Sequence, residues 1–326
     1  MAMSVASQGT LHSLSGRQPA GYQPHALHAT SRAYLETNCY ADVLIELLHA
    51  CGYEPLAAFG HLVRMDFEGD QWTFFKPPPE DLERLFGIDI HEMQPYRPLP
   101  MQIAEQIERG RTIIVELDSW FLPDTASTSY RTEHVKTSVA ADAIDVEAQV
   151  LRYFHGAGLF ELADADYRGV FRIAEPGAEV LPPYTELVRF DAGEKLAGEA
   201  LRSAARDLLR RHLERRPASN PFERFAAQLT QELPTLRQRS LDDYHAYAFA
   251  TVRMAGSAFE VAADHAGWLL GAAAAEAQAA MGEIVDGCKA LSFRLARRRV
   301  FDPEPSLTAM AAAWERAMAA LVASAG

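Results

Sequence analysis

Thr37-Asn38-Cys39 is the first point in the chain where residue types and spacing could support covalent chemistry. Thr and Asn both cap helices, and Tyr40, Val43, Leu44, Leu47 and Leu48 then recur at helical spacing as far as Gly52. Cys39 therefore falls in the first turn of a half-buried helix, where the dipole and free N–H groups stabilise a thiolate. A nucleophilic thiol also needs a base, which a fold usually supplies as a histidine from a distant strand. Among the 11 histidines, His134 fits, because it opens a strand directly after the polar loop Leu122 to Tyr130. Cys51 and Cys288 lie on apolar helical faces and read as packing. A single cysteine at a helix start is more often a small buried hydrophobe than a nucleophile. Zinc ligation by Cys39, His134 and His155 ranks below the thiol reading, since no short ligand spacing supports it.

Several elements must bring these residues together. Leu62 to Phe67 and Gln71 to Phe75 flank Glu68-Gly69-Asp70 and predict a hairpin. Pro79 to Phe86 and Leu99 to Arg109 predict short helices, each followed by a glycine. Thr112 to Asp118 is apolar enough to be a central strand. His134 to Ala141 and Gln149 to Phe154 predict two further strands around a turn near Asp142 to Asp145. A turn centred near residue 145 sets His134 opposite roughly residue 156, which brings Phe154, His155 and Gly156 within reach. His155 could orient His134 through a nitrogen, in a departure from the usual Asn or Asp, and the third position stays open. Asp118, Asp124 and Glu161 are orienting candidates from neighbouring elements. The backbone N–H of Cys39 and the side chain of Asn38 are the local oxyanion donors, and helix capping explains Asn38 equally well.

The length of 326 residues suggests two domains. Residues 1–30 read as a flexible lead-in, 31–183 as an α/β domain closed by the Pro-rich linker Glu175 to Pro183, and 184–326 as an α-helical domain. Helices are predicted near 194–216, 221–232, 240–298 with a break at a glycine, and 306–324, punctuated by Pro217, Pro234 and Pro303. A net charge of -13 argues against nucleic-acid binding. The most apolar stretch, Ala262 to Met281, is interrupted by Asp264, His265, Glu276 and Gln278, which argues against a membrane span. Three cysteines with no C-x-x-C pair and no secretory signal fit a cytoplasmic protein. No metal site is expected, and Walker, nucleophile-elbow and H-E-x-x-H motifs are absent from the sequence.

The runs Glu36-Thr-Asn-Cys-Tyr40, Asp66 to Lys76, Val115-Glu-Leu-Asp-Ser119 with Leu122-Pro-Asp-Thr125, His134-Val-Lys-Thr137 and Tyr153-Phe-His-Gly-Ala-Gly158 resemble a bacterial family, domain-of-unknown-function family 1839. More distantly, the order of cysteine, Asp-ended strand with Leu-Pro, and histidine strand is similar to the N-terminal domain of the BtrH-type acyltransferases and to papain-like cysteine enzymes. The resemblance implies an α+β fold: a papain-like domain, with a helix packed on an antiparallel sheet, followed by an α-helical bundle. It implies a Cys39 nucleophile and a His134 base that move an acyl group from a thioester to an amine or hydroxyl through an acyl-enzyme. No tightly bound cofactor is expected. The donor could be the phosphopantetheine thioester of an acyl carrier protein and the acceptor a small molecule. A peptidase or amidase, or a non-catalytic papain-like binding protein, are the alternatives. Arg210-Arg211 with Arg215-Arg216, and Arg294 with Arg297 to Arg299, could dock an acidic carrier, although cations at helix ends have a simpler role in capping.

Overall fold

The run Thr112 to Asp118 carries apolar side chains on both faces, Ile113, Val115 and Leu117 on one and Ile114 on the other, so it needs cover on both sides. In a computed structural model of the chain it lies inside a six-stranded antiparallel sheet. The structure describes residues 12–173, 181–297 and 300–326. The first part of the chain runs α1 (Cys39–Ala50), β1 (Phe67–Glu68), β2 (Gln71–Trp72), α2 (Pro79–Phe86), β3 (Asp89–Met93), α3 (Leu99–Glu108), β4 (Thr112–Asp118), β5 (Lys136–Asp145), β6 (Val150–His155), β7 (Gly158–Ala163), α4 (Asp164–Val170) and β8 (Thr185–Arg189). The sheet order is β3-β8-β4-β5-β6-β7.

The period-2 alternation of these strands divides the apolar residues between two layers. Ile114, Ala140, Phe154 and Val188 join Val43, Leu44, Leu47 and Leu48 of α1 in one core. Ile113, Val115, Leu117, Val139 and Tyr153 face the other way, onto Ile103 and Ile107 of α3 and Tyr167 of α4. The first core does not stop at the sheet. It continues into the helical layer α5 (Gly198–Glu214), α6 (Pro221–Leu236), α7 (Leu241–Ala248), α8 (Met254–Leu270), α9 (Ala275–Ala296) and α10 (Glu304–Ala325). Trp72 and Phe67 on the β1–β2 hairpin form the seam, with ring centroids 4.7 Å from Phe222 and 5.3 Å from Phe225, respectively.

Several expectations are corrected. The hairpin is shorter than predicted, because Leu62 and Val63 belong to a 3-10 segment, Pro55–Arg64, that packs between α1 and the helical layer. The sheet unit does not close at residue 183, since β8 (Thr185–Arg189) is hydrogen-bonded between β3 and β4. Of the Pro-rich linker, residues 175–180 lie outside the described residues. The lead-in is fastened in its described part: the Ser13 hydroxyl and the Ser15 N–H donate to Asp142, and Leu27 and His28 are buried. Pro234 lies inside α6 rather than ending it, two residues before its last residue, Leu236. The long helical run breaks at Gly271, whose φ of 56° suits glycine. Arg210 donates to the Ala325 and Gly326 carbonyls and Arg216 to that of Leu213, so both cap helix ends. Arg298 and Arg299 lie outside the described residues.

Two groups of buried histidines tie the layers together. His28 sits between two carboxylates of α1, with Nδ1 2.5 Å from Glu46 and Nε2 3.2 Å from Asp42. Burial alone lowers its pKa, but hydrogen bonds and charge from Asp42 and Glu46 outweigh that and raise it to about 9. His61 and His265 lie between the 3-10 segment and α8, each bonding a backbone carbonyl (Ala58, Leu56) through Nδ1 and leaving Nε2 without a partner. Desolvation pushes them down to about 3 and about 4, so both are neutral.

The opposite shifts give opposite pH dependences. The stability from His28 is complete below its unfolded pKa of about 6.5 and is lost as the pH climbs through about 9. His28→Leu leaves two buried carboxylates unpaired and is expected to lower the urea unfolding free energy at neutral pH by about 3–5 kcal/mol. The stability linked to His61 and His265 is present above about 6.5 and is lost as the pH falls toward about 4 and about 3. Urea titrations between pH 7 and roughly 4 should show a shallower fall for His265→Leu than for the wild type.

Candidate active site

Asn38 is the N-cap of α1: its side-chain carbonyl accepts from the Ala41 N–H at 2.9 Å. Its amide donates to the Phe75 carbonyl at 3.0 Å, which ties the cap to the segment after the hairpin. Asn38 is thus a structural cap with both ends engaged, rather than a free oxyanion donor. Just before it, the Asp42 carboxylate accepts the N–H and hydroxyl of Thr37, fixing how the chain enters the helix. The N–H groups of Cys39 and Tyr40, at the first two helical positions, have no partner among the described residues. Two donors therefore remain open beside a half-buried thiol.

The side chain that meets this thiol from the sheet is Ser138, with Oγ 3.6 Å from the Cys39 Sγ. His134 is four residues earlier on the chain, on the order of 13 Å along an extended strand. Its Nδ1 donates to Asp118 at 2.7 Å, its ring stacks on Trp120 at 4.5 Å, and its side chain is 66% exposed. It does not line the cavity that contains Cys39. The expected contact between Cys39 and His134 is therefore not formed, and Asp118, not His155, is the partner of His134.

The cause is a register shift. β5 runs to Asp145, the turn follows it, and β5 and β6 slip by one residue between Ala141 and Ala143. Ala140 pairs with Phe154, which carries Ser138, not His134, toward residue 156. The irregularity at Asp142 is where Ser13 and Ser15 are bonded.

His155, at the end of β6, does line the Cys39 cavity, together with Thr137 and Ser138. Its Nδ1 donates to Asp124 at 2.5 Å and its Nε2 lies 2.8 Å from the Thr137 hydroxyl. The Tyr153 hydroxyl donates to the other oxygen of Asp124. Burial and the Asp124 charge keep that phenol protonated, its pKa raised far above the ordinary value. With Nδ1–H given to the carboxylate, a neutral His155 ring turns an acceptor toward the cavity side. Glu161, on β7, pairs with Arg152 of β6 and does not line the cavity.

The cavity has a volume of about 690 Å³, a size that suits a small-molecule ligand. Thr125, Thr128 and Ser129 line it, so the polar loop Leu122 to Tyr130 forms one of its walls. Lys76 also lines it, paired with the buried Glu186 and 4.0 Å over the ring of Tyr40. Sequence reading missed Ser138, Lys76 and Arg253. Ser138 could have been found, since strand alternation carries the face of His134 on through Lys136 to Ser138. Arg253 gave no such sign inside a long helical run. Among the described residues, no three His, Cys, Asp or Glu side chains are placed to hold a metal ion. Nor is any helix among them long and apolar enough to cross a membrane.

A family model described as the DUF1839 N-terminal domain matches residues 23–190, which take in Cys39, His155 and the whole sheet. A second, described as the DUF1839 C-terminal domain, matches residues 198–323, the helical layer. No curated protein matches the chain. With the sheet unit and the helical layer both covered in order, the chain belongs to the DUF1839 family.

Proposed function

We propose that the protein is a cysteine-dependent acyltransferase in which Cys39 is the nucleophile and His155, oriented by Asp124, handles the proton. One observation carries this reading. A thiol at a helix N-terminus, two open N–H donors and a histidine–carboxylate pair border the same cavity. A helix packed on an antiparallel sheet with the cysteine in its first turn also fits a papain-like arrangement. His155 takes the place first expected for His134, because His134 is directed to the rim by Asp118 and Trp120.

His155 and Thr137 leave the sheet on the face of Val139 and Tyr153, opposite Ser138 and Cys39. In the proposed reaction the Cys39 proton therefore reaches His155 Nε2 through the shared cavity, around the end of β6, and the Thr137 hydroxyl must turn aside. The thiolate attacks the carbonyl of a thioester, and the N–H groups of Cys39 and Tyr40 receive the developing oxyanion. The donor's sulfur takes that proton from His155 as it leaves, giving an acyl-enzyme and a neutral His155. An amine or hydroxyl acceptor then loses its proton to His155, attacks the acyl carbon and releases Cys39. Water in place of the acceptor makes the same site a hydrolase. The donor is proposed to be a small thioester, the phosphopantetheine arm of a carrier protein among them.

The contact between Ser138 and the thiol favours a second reading, a papain-like binding protein without turnover. Intact-mass spectrometry after incubation with acyl thioesters separates the two. An adduct on the wild type that is absent from Cys39→Ala supports acyl transfer, and no adduct with a panel of thioesters supports the binding protein. Asp124→Asn and His155→Ala are expected to slow adduct formation by about 100-fold or more, in the range of a lost general base. His134→Ala is expected to leave it near the wild-type rate. The reverse ranking of the two histidines would return the base to His134.

A further inference from the structure

The cations lining the Cys39 cavity are Lys76, Lys136 and Arg253. Lys76 is neutralised by Glu186 and Lys136 by Glu116. Arg253 has no carboxylate within ion-pair distance among the described residues. Its Nη2 makes only a 3.4 Å contact with the Glu36 carbonyl, and its Nε–H, shut off from solvent, has no acceptor. A guanidinium carries five donors in a fixed fork, and leaving one buried without an acceptor is costly. The carboxylate of Glu36, which lines the same cavity, is turned to the sheet side: a Cβ on Gly156 would lie 2.9 Å from it.

Arg253 is delivered by a π-helical turn, Phe249–Arg253, wedged between α7 and α8. Such turns cost hydrogen-bond geometry and are found frequently at functional sites. An independent sign of a missing ligand comes from the residue that follows β4. Ser119 is 2% exposed, lines the cavity, and its hydroxyl has no partner. Arg253 Nε–H and the open N–H groups of Cys39 and Tyr40 can only donate, and the Ser119 hydroxyl can donate as well, so the cavity presents several unmatched donors.

From this we infer that the ligand of the Cys39 cavity is anionic, carrying a carboxylate or phosphate group that Arg253 holds. The inference deepens the acyl-transfer reading and rests on it: the acyl donor or acceptor bears an anionic group separate from the reacting carbonyl. Arg is suited to either anion through paired N–H donors.

Calorimetry on the full chain with glutarate, inorganic phosphate and the neutral glutaramide tests it. Saturable binding of glutarate or of phosphate is expected, with none for glutaramide, and whichever anion binds identifies the source. Arg253→Gln, checked for an unchanged melting temperature, should weaken that binding by about tenfold or more, and Arg253→Lys by less. The binding anion should also protect Cys39 from iodoacetamide, which places it in this cavity even if Arg253→Gln fails to fold. No binding of either anion, or binding that Arg253→Gln leaves unchanged, overturns the inference. Alkylation of Cys39 by iodoacetate and iodoacetamide, compared with glutathione and mapped by peptide mass, keeps the two readings apart. Anion binding beside an unreactive Cys39 retains the anion site and removes the nucleophile. A reactive Cys39 without anion preference does the opposite.

Discussion

Helix α1 carries two carboxylates, Asp42 and Glu46, into a position where almost no water reaches them, and His28 stands between them. A buried charge without a partner would cost more than the helix gains from its apolar neighbours. The N-terminal segment therefore has to wrap under α1 and bring its donors: His28, the N–H of His25 and the hydroxyl of Tyr22 to Glu46, and Thr37 to Asp42. The hydrogen bonds from His28 and Tyr22 hold Glu46 below its ordinary range against the opposing effect of burial. Asp42 is one turn from Cys39, so the ion cluster that anchors the helix also fixes the approach to the thiol. Packing, charge balance and the placement of the nucleophile are one constraint here.

Much of the secondary structure follows from local pattern. Cys39 to Ala50, Pro79 to Phe86 and Thr112 to Asp118 have caps, glycine stops or unbroken apolar runs that fix their type and their ends. Local pattern failed where distant contacts decide. Leu62 and Val63 look like strand residues, yet their neighbours on three sides are α1, α5 and α8, and the segment packs as a 3-10 helix. β8 is a five-residue strand that only the sheet edges of β3 and β4 define.

The site was legible to the same degree. Cys39, with its cap, could be read from four consecutive residues. The histidine could not, because its identity depends on the β5–β6 register. That register is set by where the turn falls, between Asp145 and Val150 rather than centred on residue 145. It is adjusted by one residue at the bulge near Asp142, whose partners Ser13 and Ser15 are more than 120 residues away in sequence. Asp124 and His155, both named among the candidates, are brought together by the structure, but with each other rather than with His134. Arg253 reaches the cavity only because a π turn rotates it out of the helical pattern that surrounds it.

The shared seam of Phe67, Trp72, Phe222, Phe225 and Phe259 also limits how this architecture can evolve. One wall of the Cys39 cavity comes from the segment after residue 198, and the aromatic rings of the hairpin have no other cover. A recombination event between the two family segments would strip that wall from the first and leave its hairpin rings open to solvent. The two segments are therefore expected to be inherited as a pair, with their facing surfaces changing in step, and the short stretch between them is itself tied to the first, the N–H groups of Ala192 and Leu196 donating to the Gly87 and Leu85 carbonyls.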